Sequence, residues 1–127
     1  MHEMALAQSV LEIVEQTARE HGARCVTGVR IEIGALSHVE AEALRFCFDI
    51  VMRGSVADGA RLDIEATPGA AWCMPCAATV PLARVGEACP HCGSYQLAVT
   101  DGGAMRVREI EVAGARERER ATLQGEA

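Results

Sequence analysis

No lysine occurs among the 127 residues; all 12 basic side chains are arginine. That removes Schiff-base chemistry and a phosphate-binding P-loop lysine from consideration. Aromatic side chains are scarce, only Phe46, Phe48, Trp72 and Tyr95, so any core must be aliphatic. Apolar residues still make up 50% of the chain, which provides for such a core and excludes wholesale disorder. Positive charge is outweighed, with 18 acids against 12 bases and a formal charge of −6. There is therefore no electrostatic footprint for a nucleic-acid backbone or an anionic membrane. No apolar run approaches the ~18 residues of a membrane span. The first residues include Glu3 and Glu12 and no basic stretch, so no secretion signal is expected there. A soluble, cytoplasmic protein of one domain, or two small ones, is the expectation. No Ser-His-Asp order, glycine-rich phosphate loop or pair of poised carboxylates points to catalysis, and the chain is expected not to be an enzyme.

Periodicity orders what is present. Met4, Ala7, Leu11, Val14 and Ala18 recur at spacings of three and four, with Glu12, Glu15 and Arg19 off that stripe. This predicts an amphipathic helix over 4–21, stopped at His21-Gly22. Val29-x-Ile31-x-Ile33 predicts a half-buried strand over 25–33, ended by Gly34. Ser37 stands three residues before Glu40, the pattern of a capping box. Ala43, Leu44, Cys47, Phe48 and Val51 then keep helical spacing up to Arg53-Gly54, predicting a second helix over 39–53. Leu62-x-Ile64-x-Ala66 reads as a second strand and residues 105–112 as a third. Within the third, Met105 and Val107 share one parity while Ile110 and Val112 share the other. A β-bulge near Arg108-Glu109 would return all four to one face. The tail over 113–127, with its Arg-Glu-Arg-Glu-Arg run, reads as a solvated helix or disordered chain. Cys47 falls on the apolar stripe of the second helix and Cys25 opens the first strand, so both read as packing residues. Arg45 and Arg53 lie on the polar side of that helix.

The expected fold is α+β, with two helices on one face of a three-stranded sheet and an inserted four-cysteine zinc-ribbon lobe. The main lobe is discontinuous, residues 1–70 plus 100–112, and the insert covers 71–99. Cys73, Cys76, Cys89 and Cys92 form two C-x-x-C pairs separated by twelve residues. Four thiolates are the soft, tetrahedral set that Zn(II) favours, and four protein ligands leave no open position, so a structural role is expected. The insert is too small to fold through apolar burial alone. Zinc binding to small finger peptides contributes ~10–16 kcal/mol, enough to fold it. Iron–sulfur ligation or a redox C-x-x-C pair uses the same residue types. His91, inside the second pair, is expected to face solvent or to support the ligands from outside the coordination sphere.

The chain begins Met1-His2-Glu3. A histidine at position 2 is expected to leave Met1 in place. The Met1 amine, the deprotonated amide nitrogen of His2 and its Nδ1 can then close two adjacent chelate rings. Three nearly coplanar nitrogens suit Ni(II) or Cu(II) rather than tetrahedral Zn(II), and Glu3 could add an oxygen. A solvated terminus has the same sequence, but the amphipathic helix beginning at Met4 anchors these residues.

Met1-His2-Glu3 with 5-ALAQS-9, Val29-Arg30-Ile31-Glu32-Ile33-Gly34-Ala35-Leu36-Ser37, Ala43-Leu44-Arg45-Phe46, Trp72-Cys73, Cys89-Pro90-His91-Cys92-Gly93-Ser94 and Met105-Arg106-Val107 resemble, in order and spacing, the HypA/HybF family. These are nickel metallochaperones of [NiFe]-hydrogenase maturation, and the resemblance covers residues 1 to about 112. It implies a nickel-binding lobe of two helices on a three-stranded sheet with an inserted zinc lobe. As partners it implies a HypB-type GTPase and the hydrogenase large-subunit precursor, with urease maturation in some members. By position, it implies that His2 ligates nickel, that Met1 lends its amine and that Glu3 belongs to the same signature. Cys73, Cys76, Cys89 and Cys92 match the family's zinc ligands. Glu40 sits where an acidic residue can approach nickel, although capping explains it equally; His38, in the same loop, is a further candidate or an exposed loop histidine. Some relatives carry a histidine beyond the second knuckle, and this chain has none after His91. A monomer or weak homodimer is expected.

The rival reading is a zinc-ribbon module that binds a protein or a nucleic acid and has no nickel function. The cysteine spacing alone permits it. Against it, the insert holds Arg84, Glu87 and no lysine, leaving little positive charge to meet phosphates.

Overall fold

Helical periodicity near the N-terminus becomes α1, Glu3–Glu20, which buries Ala7, Val10, Val14 and Ala18. The computed structural model describes residues 2–113 and 118–126. After α1 come β1 (Cys25–Gly34), α2 (Ala41–Met52) and β2 (Arg61–Thr67), then three short strands, β3 (Ala70–Cys73), β4 (Ala78–Pro81) and β5 (Leu97–Asp101). The chain returns as β6 (Met105–Ala113) and β7 (Arg118–Glu126). None of the described helices is long and apolar enough to cross a membrane.

The larger sheet has the order β2-β1-β6-β7. The α2 crossover makes β1 and β2 parallel, with Val29 beside Leu62 and Ile31 beside Ile64. Strands β1 and β6 run antiparallel. Both helices cover one face, where Val14, Leu44, Phe48 and Met52 share a core with Val29, Ile31, Val107 and Ile110. The opposite face carries the alternating charges. Arg30 pairs with Glu109 at 2.8 Å and Glu65 at 3.3 Å, Arg61 with Asp63 at 2.9 Å and Arg108 with Glu32 at 3.4 Å.

The phase break in β6 is a bulge at the expected place. Arg30 pairs with Glu109 and Ile31 with Val107, leaving Arg108 as the extra residue. Met105, Val107, Ile110 and Val112 are all buried as a result. A second irregularity lies between Val26 and Gly28 of β1. It does for Val26 and Val29 what the first does for β6, burying two residues of unlike parity.

Four features differ from the periodicity reading. The stripe that α1 buries runs through Glu3, Ala7, Val10, Val14 and Ala18, leaving Met4 exposed and Leu11 half-buried. The large sheet has four strands, because β7 adds antiparallel to the outer edge of β6, placing Arg118 against Ala113 and Arg120 against Glu111. A two-residue Arg-Glu alternation fits a strand as readily as a solvated helix, and a free sheet edge supplies the hydrogen-bonding row that decides for the strand. Residues 114–117 and 127 of the expected tail lie outside the described residues. Cys25 is exposed rather than packed, whereas Cys47 is buried. Lastly, Ser37 does not cap α2. Its hydroxyl donates to the Gly34 carbonyl at 2.7 Å and accepts the Val39 N–H at 3.4 Å, closing a turn. The N-cap is Glu40, and its side chain makes no cap hydrogen bond.

The smaller sheet, β4-β3-β5, is antiparallel throughout. Its own apolar cores are tiny: Leu36, Ala71 and Leu82 at the junction with the larger sheet, and Val80 among the cysteines. Backbones cross tightly at that junction. The Gly34 N–H donates to the Ala104 carbonyl and the Leu36 N–H to the Gly102 carbonyl. A Cβ on Gly34 would run into the Gly102 carbonyl, and one on Gly102, which has φ 78°, would meet the Gly69 Cα.

Candidate metal centres

Two tight turns deliver the cysteines. Cys73 ends β3, and the chain reverses through Ala77, whose φ of 51° and N–H donation to the Met74 carbonyl let Cys76 face back. In the second turn the Cys89 N–H donates to Ser94 and the Gly93 N–H to Cys89, with Gly93 at φ 78°. The four Sγ atoms lie within 4.8 Å of one another, with Cys73 and Cys92 3.5 Å apart and Cys76 and Cys89 3.9 Å apart. A tetrahedral ion with bonds of about 2.3 Å needs S···S edges of about 3.8 Å, so the set fits zinc. Cys73 and Cys89 are buried, Cys76 half-buried and Cys92 exposed.

Proton affinity is spread unevenly across the set. Burial pushes the Cys89 thiol up, but the N–H groups of Cys92 and His91, together with hydrogen bonds from the Cys73 and Cys92 thiols, draw it down to about 6. The Cys76 thiol is pushed up to about 12, first by its hydrogen bonds to the sulfurs of Cys92 and Cys73 and then by burial. One negative charge is thus favoured and the next resisted. His91 supports the set from outside. Its N–H donates to Cys89 Sγ at 3.4 Å and its side chain is exposed.

The N-terminal candidates are assembled differently. His2 is exposed and is the N-cap of α1, with no side-chain cap hydrogen bond. Glu3, in the first turn, is only 7% exposed. Its Oε2 accepts the N–H of Glu40 at 3.2 Å, across 37 positions of sequence. That N–H and Glu3's own N–H hold the Glu3 carboxyl below its usual 4.5. His38 lies two residues before Glu40; it is exposed and has φ 61°, the left-handed region that a side chain rarely adopts. Met1, the other candidate, lies outside the described residues. Among the described residues only the four cysteines converge as three or more His, Cys, Asp or Glu donors. His2, Glu3, His38 and Glu40 are not brought together as such a side-chain group. The partner of Glu3 is not marked in the sequence, but its burial has a sign there: it stands four residues before Ala7, on the stripe that α1 buries.

Residues 1–112 match the model of a family described as "Hydrogenase/urease nickel incorporation, metallochaperone, hypA". The chain belongs to the HypA family. Among relatives of this family, a hydrogenase maturation factor HypA of Azoarcus sp. (strain BH72) is 57% identical over 110 residues, covering 87% of this chain and 96% of that protein. Another HypA, of Albidiferax ferrireducens, is 59% identical over 112 residues, covering 88% and 99%. The fold is also that of a solved structure, "Solution structure of the Ni metallochaperone HypA from Helicobacter pylori", with a TM-score of 0.69 and 24% identity over 88% of this chain and 97% of that one. The HypA match ends at 112, so β7 lies beyond it.

Proposed function

We propose that this HypA family member is a nickel metallochaperone that takes up Ni(II) at Met1-His2-Glu3 and delivers it to the [NiFe]-hydrogenase large-subunit precursor. The Met1 amine, the His2 amide nitrogen and the His2 Nδ1 provide the planar donors, and His38 and Glu40 are candidates for completing the sphere. Nickel is cargo, so the chain acts without catalysing a reaction, in the cytoplasm, with a HypB-type GTPase as partner. In this reading urease maturation is a second destination for the metal. Cys73, Cys76, Cys89 and Cys92 hold Zn(II), whose four bonds tie the smaller sheet together and leave no position open.

One observation carries the reading. His2 is exposed at the start of α1 and its side chain makes no cap hydrogen bond, in a chain whose residues 1–112 match a nickel-incorporation family. A transfer site must be reachable by an acceptor, and a chain terminus anchored by a helix is both reachable and placed. The closed cysteine set is suited to retention rather than transfer.

The test compares Ni(II) binding by two zinc-loaded preparations, one with the authentic Met1 amine and one with Gly-Ser ahead of it. Extension should abolish one-to-one binding, and His2→Ala should do the same while leaving zinc content and thermal stability unchanged. Affinity should also fall in acid, since the amine, the amide nitrogen and the imidazole can bind metal only when deprotonated. Undiminished binding by both altered proteins would move nickel away from the terminus.

A further inference from the structure

Among the residues whose burial is described, Glu3 is the only charged one that is buried, and it lies where α1 and α2 both begin. A carboxylate placed there needs a partner, and it has one in the N–H of Glu40. That N–H is one of the donors that the start of α2 leaves without an intrahelical acceptor. Ser37, the residue placed to cap α2 by sequence pattern, is occupied instead with Gly34 and Val39. The Glu3 side chain therefore caps α2 from a different helix.

The loop between β1 and α2 is consequently held at both ends. The Ser37 hydroxyl fixes its start and Glu3 its finish, with His38 in the left-handed region between them. Histidine enters that region more readily than most side chains, but a single residue held there still costs free energy that its surroundings must offset. Both candidate loop donors, His38 and Glu40, belong to this pinned segment, and the pin originates one residue from His2. A terminal chelate without such a tie would reach its remaining donors only after ordering the loop, which weakens binding.

We infer that Glu3 is a positioning residue rather than a nickel ligand: its carboxylate latches the metal-binding terminus to residues 38–40, so that the loop supplies the donor completing the sphere. The inference rests on the nickel reading above. It divides the three-residue signature by role, with nitrogen donors from the first two residues and placement from the third. Partners that orient a metal's ligands without touching the metal commonly cost ~10–100-fold in affinity when removed.

Glutamine separates the two roles. Its amide oxygen can still accept the Glu40 N–H, but it is a much poorer metal donor than a carboxylate. Zinc-loaded full-length protein, E3A, E3Q and H2A would be compared by Ni(II) titration, the visible spectrum of the nickel form and hydrogen exchange at the Glu40 amide. Zinc content and melting temperature control for folding. The expected result is a ~10–100-fold loss of affinity in E3A and rescue in E3Q to within about threefold, with an unchanged spectrum. The Glu40 amide should be protected in the native protein and E3Q, without nickel, and unprotected in E3A. Equal losses in E3A and E3Q, with altered spectra, would make Glu3 a ligand and overturn the inference. So would an E3A protein that binds normally, or a native Glu40 amide that exchanges freely. Full binding by H2A would instead overturn the nickel reading, while the exchange data would still report on the latch.

Discussion

A carboxylate that accepts backbone N–H groups is stabilised in its charged form, and at Glu3 this has a consequence for folding as well as for metal. The carboxyl titrates below its usual 4.5 in the folded protein, chiefly through the Glu40 N–H. The sign follows from the direction: a depressed folded value stabilises the protein above the unfolded pKa, and this is lost as pH falls through the folded value. The stability advantage of the native protein over E3Q should therefore be full above about pH 5 and shrink below 4.5, as read by urea denaturation at several pH values. An advantage independent of pH would contradict the assignment. Cysteine chemistry at the other centre is also proton-linked. With Cys76 held up to about 12, metal can be bound by that sulfur only if its proton leaves. Loading the apo-protein with Zn(II) should release protons, seen as a calorimetric heat that varies with the buffer's ionisation enthalpy. A buffer-independent heat would mean that the cysteines enter already ionised.

Strand β6 illustrates how one residue sets the phase of an element. Arg108 makes only a part-exposed pair with Glu32, so R108A should cost no more than about 1 kcal/mol. Deleting Arg108 is a different perturbation. Without the extra residue, either Met105 and Val107 or Ile110 and Val112 must turn from the core toward the charged face. Two side chains at about 1.5–3 kcal/mol each make an expected loss of about 3–6 kcal/mol in denaturant unfolding. A deletion as mild as R108A would show that the bulge is not needed. The bulge is legible in sequence because both halves of β6 are strongly apolar. Its counterpart near Thr27 is not, since Val26 is a single residue with no run of its own to declare a parity. The capping of α2 is misread for a related reason. Ser37 and Glu40 have the right spacing, yet a serine that can close a turn on Gly34 is not available to the helix.

At the scale of the whole molecule, the two sheets depend on different forces. The larger has a core spanning α1, β1, α2, β2 and β6, whereas the smaller encloses a few apolar side chains and the four sulfurs. Chelation should therefore abolish amide protection in β3–β5 while α1, α2 and β1 keep theirs, as measured by hydrogen exchange. Collapse of both sheets together would show that the metal also supports the larger one. The junction is the place where such coupling could arise, because Gly34, Gly69 and Gly102 bring backbones into direct contact. G102A must place a Cβ against Gly69 from a left-handed backbone and should cost about 1–3 kcal/mol or more.

Periodicity and spacing are sufficient for the two helices, the three principal strands, the bulge and the cysteine set, because each depends on residues near one another in sequence or on a fixed interval. The strand β7, the exposure of Cys25 and the Glu3–Glu40 contact are decided only when the chain folds. An Arg-Glu alternation takes its conformation from whichever edge it meets, and a cysteine's burial depends on what lies above it. A carboxylate joined to an N–H 37 positions away is specified by two helix starts converging, which no local pattern encodes.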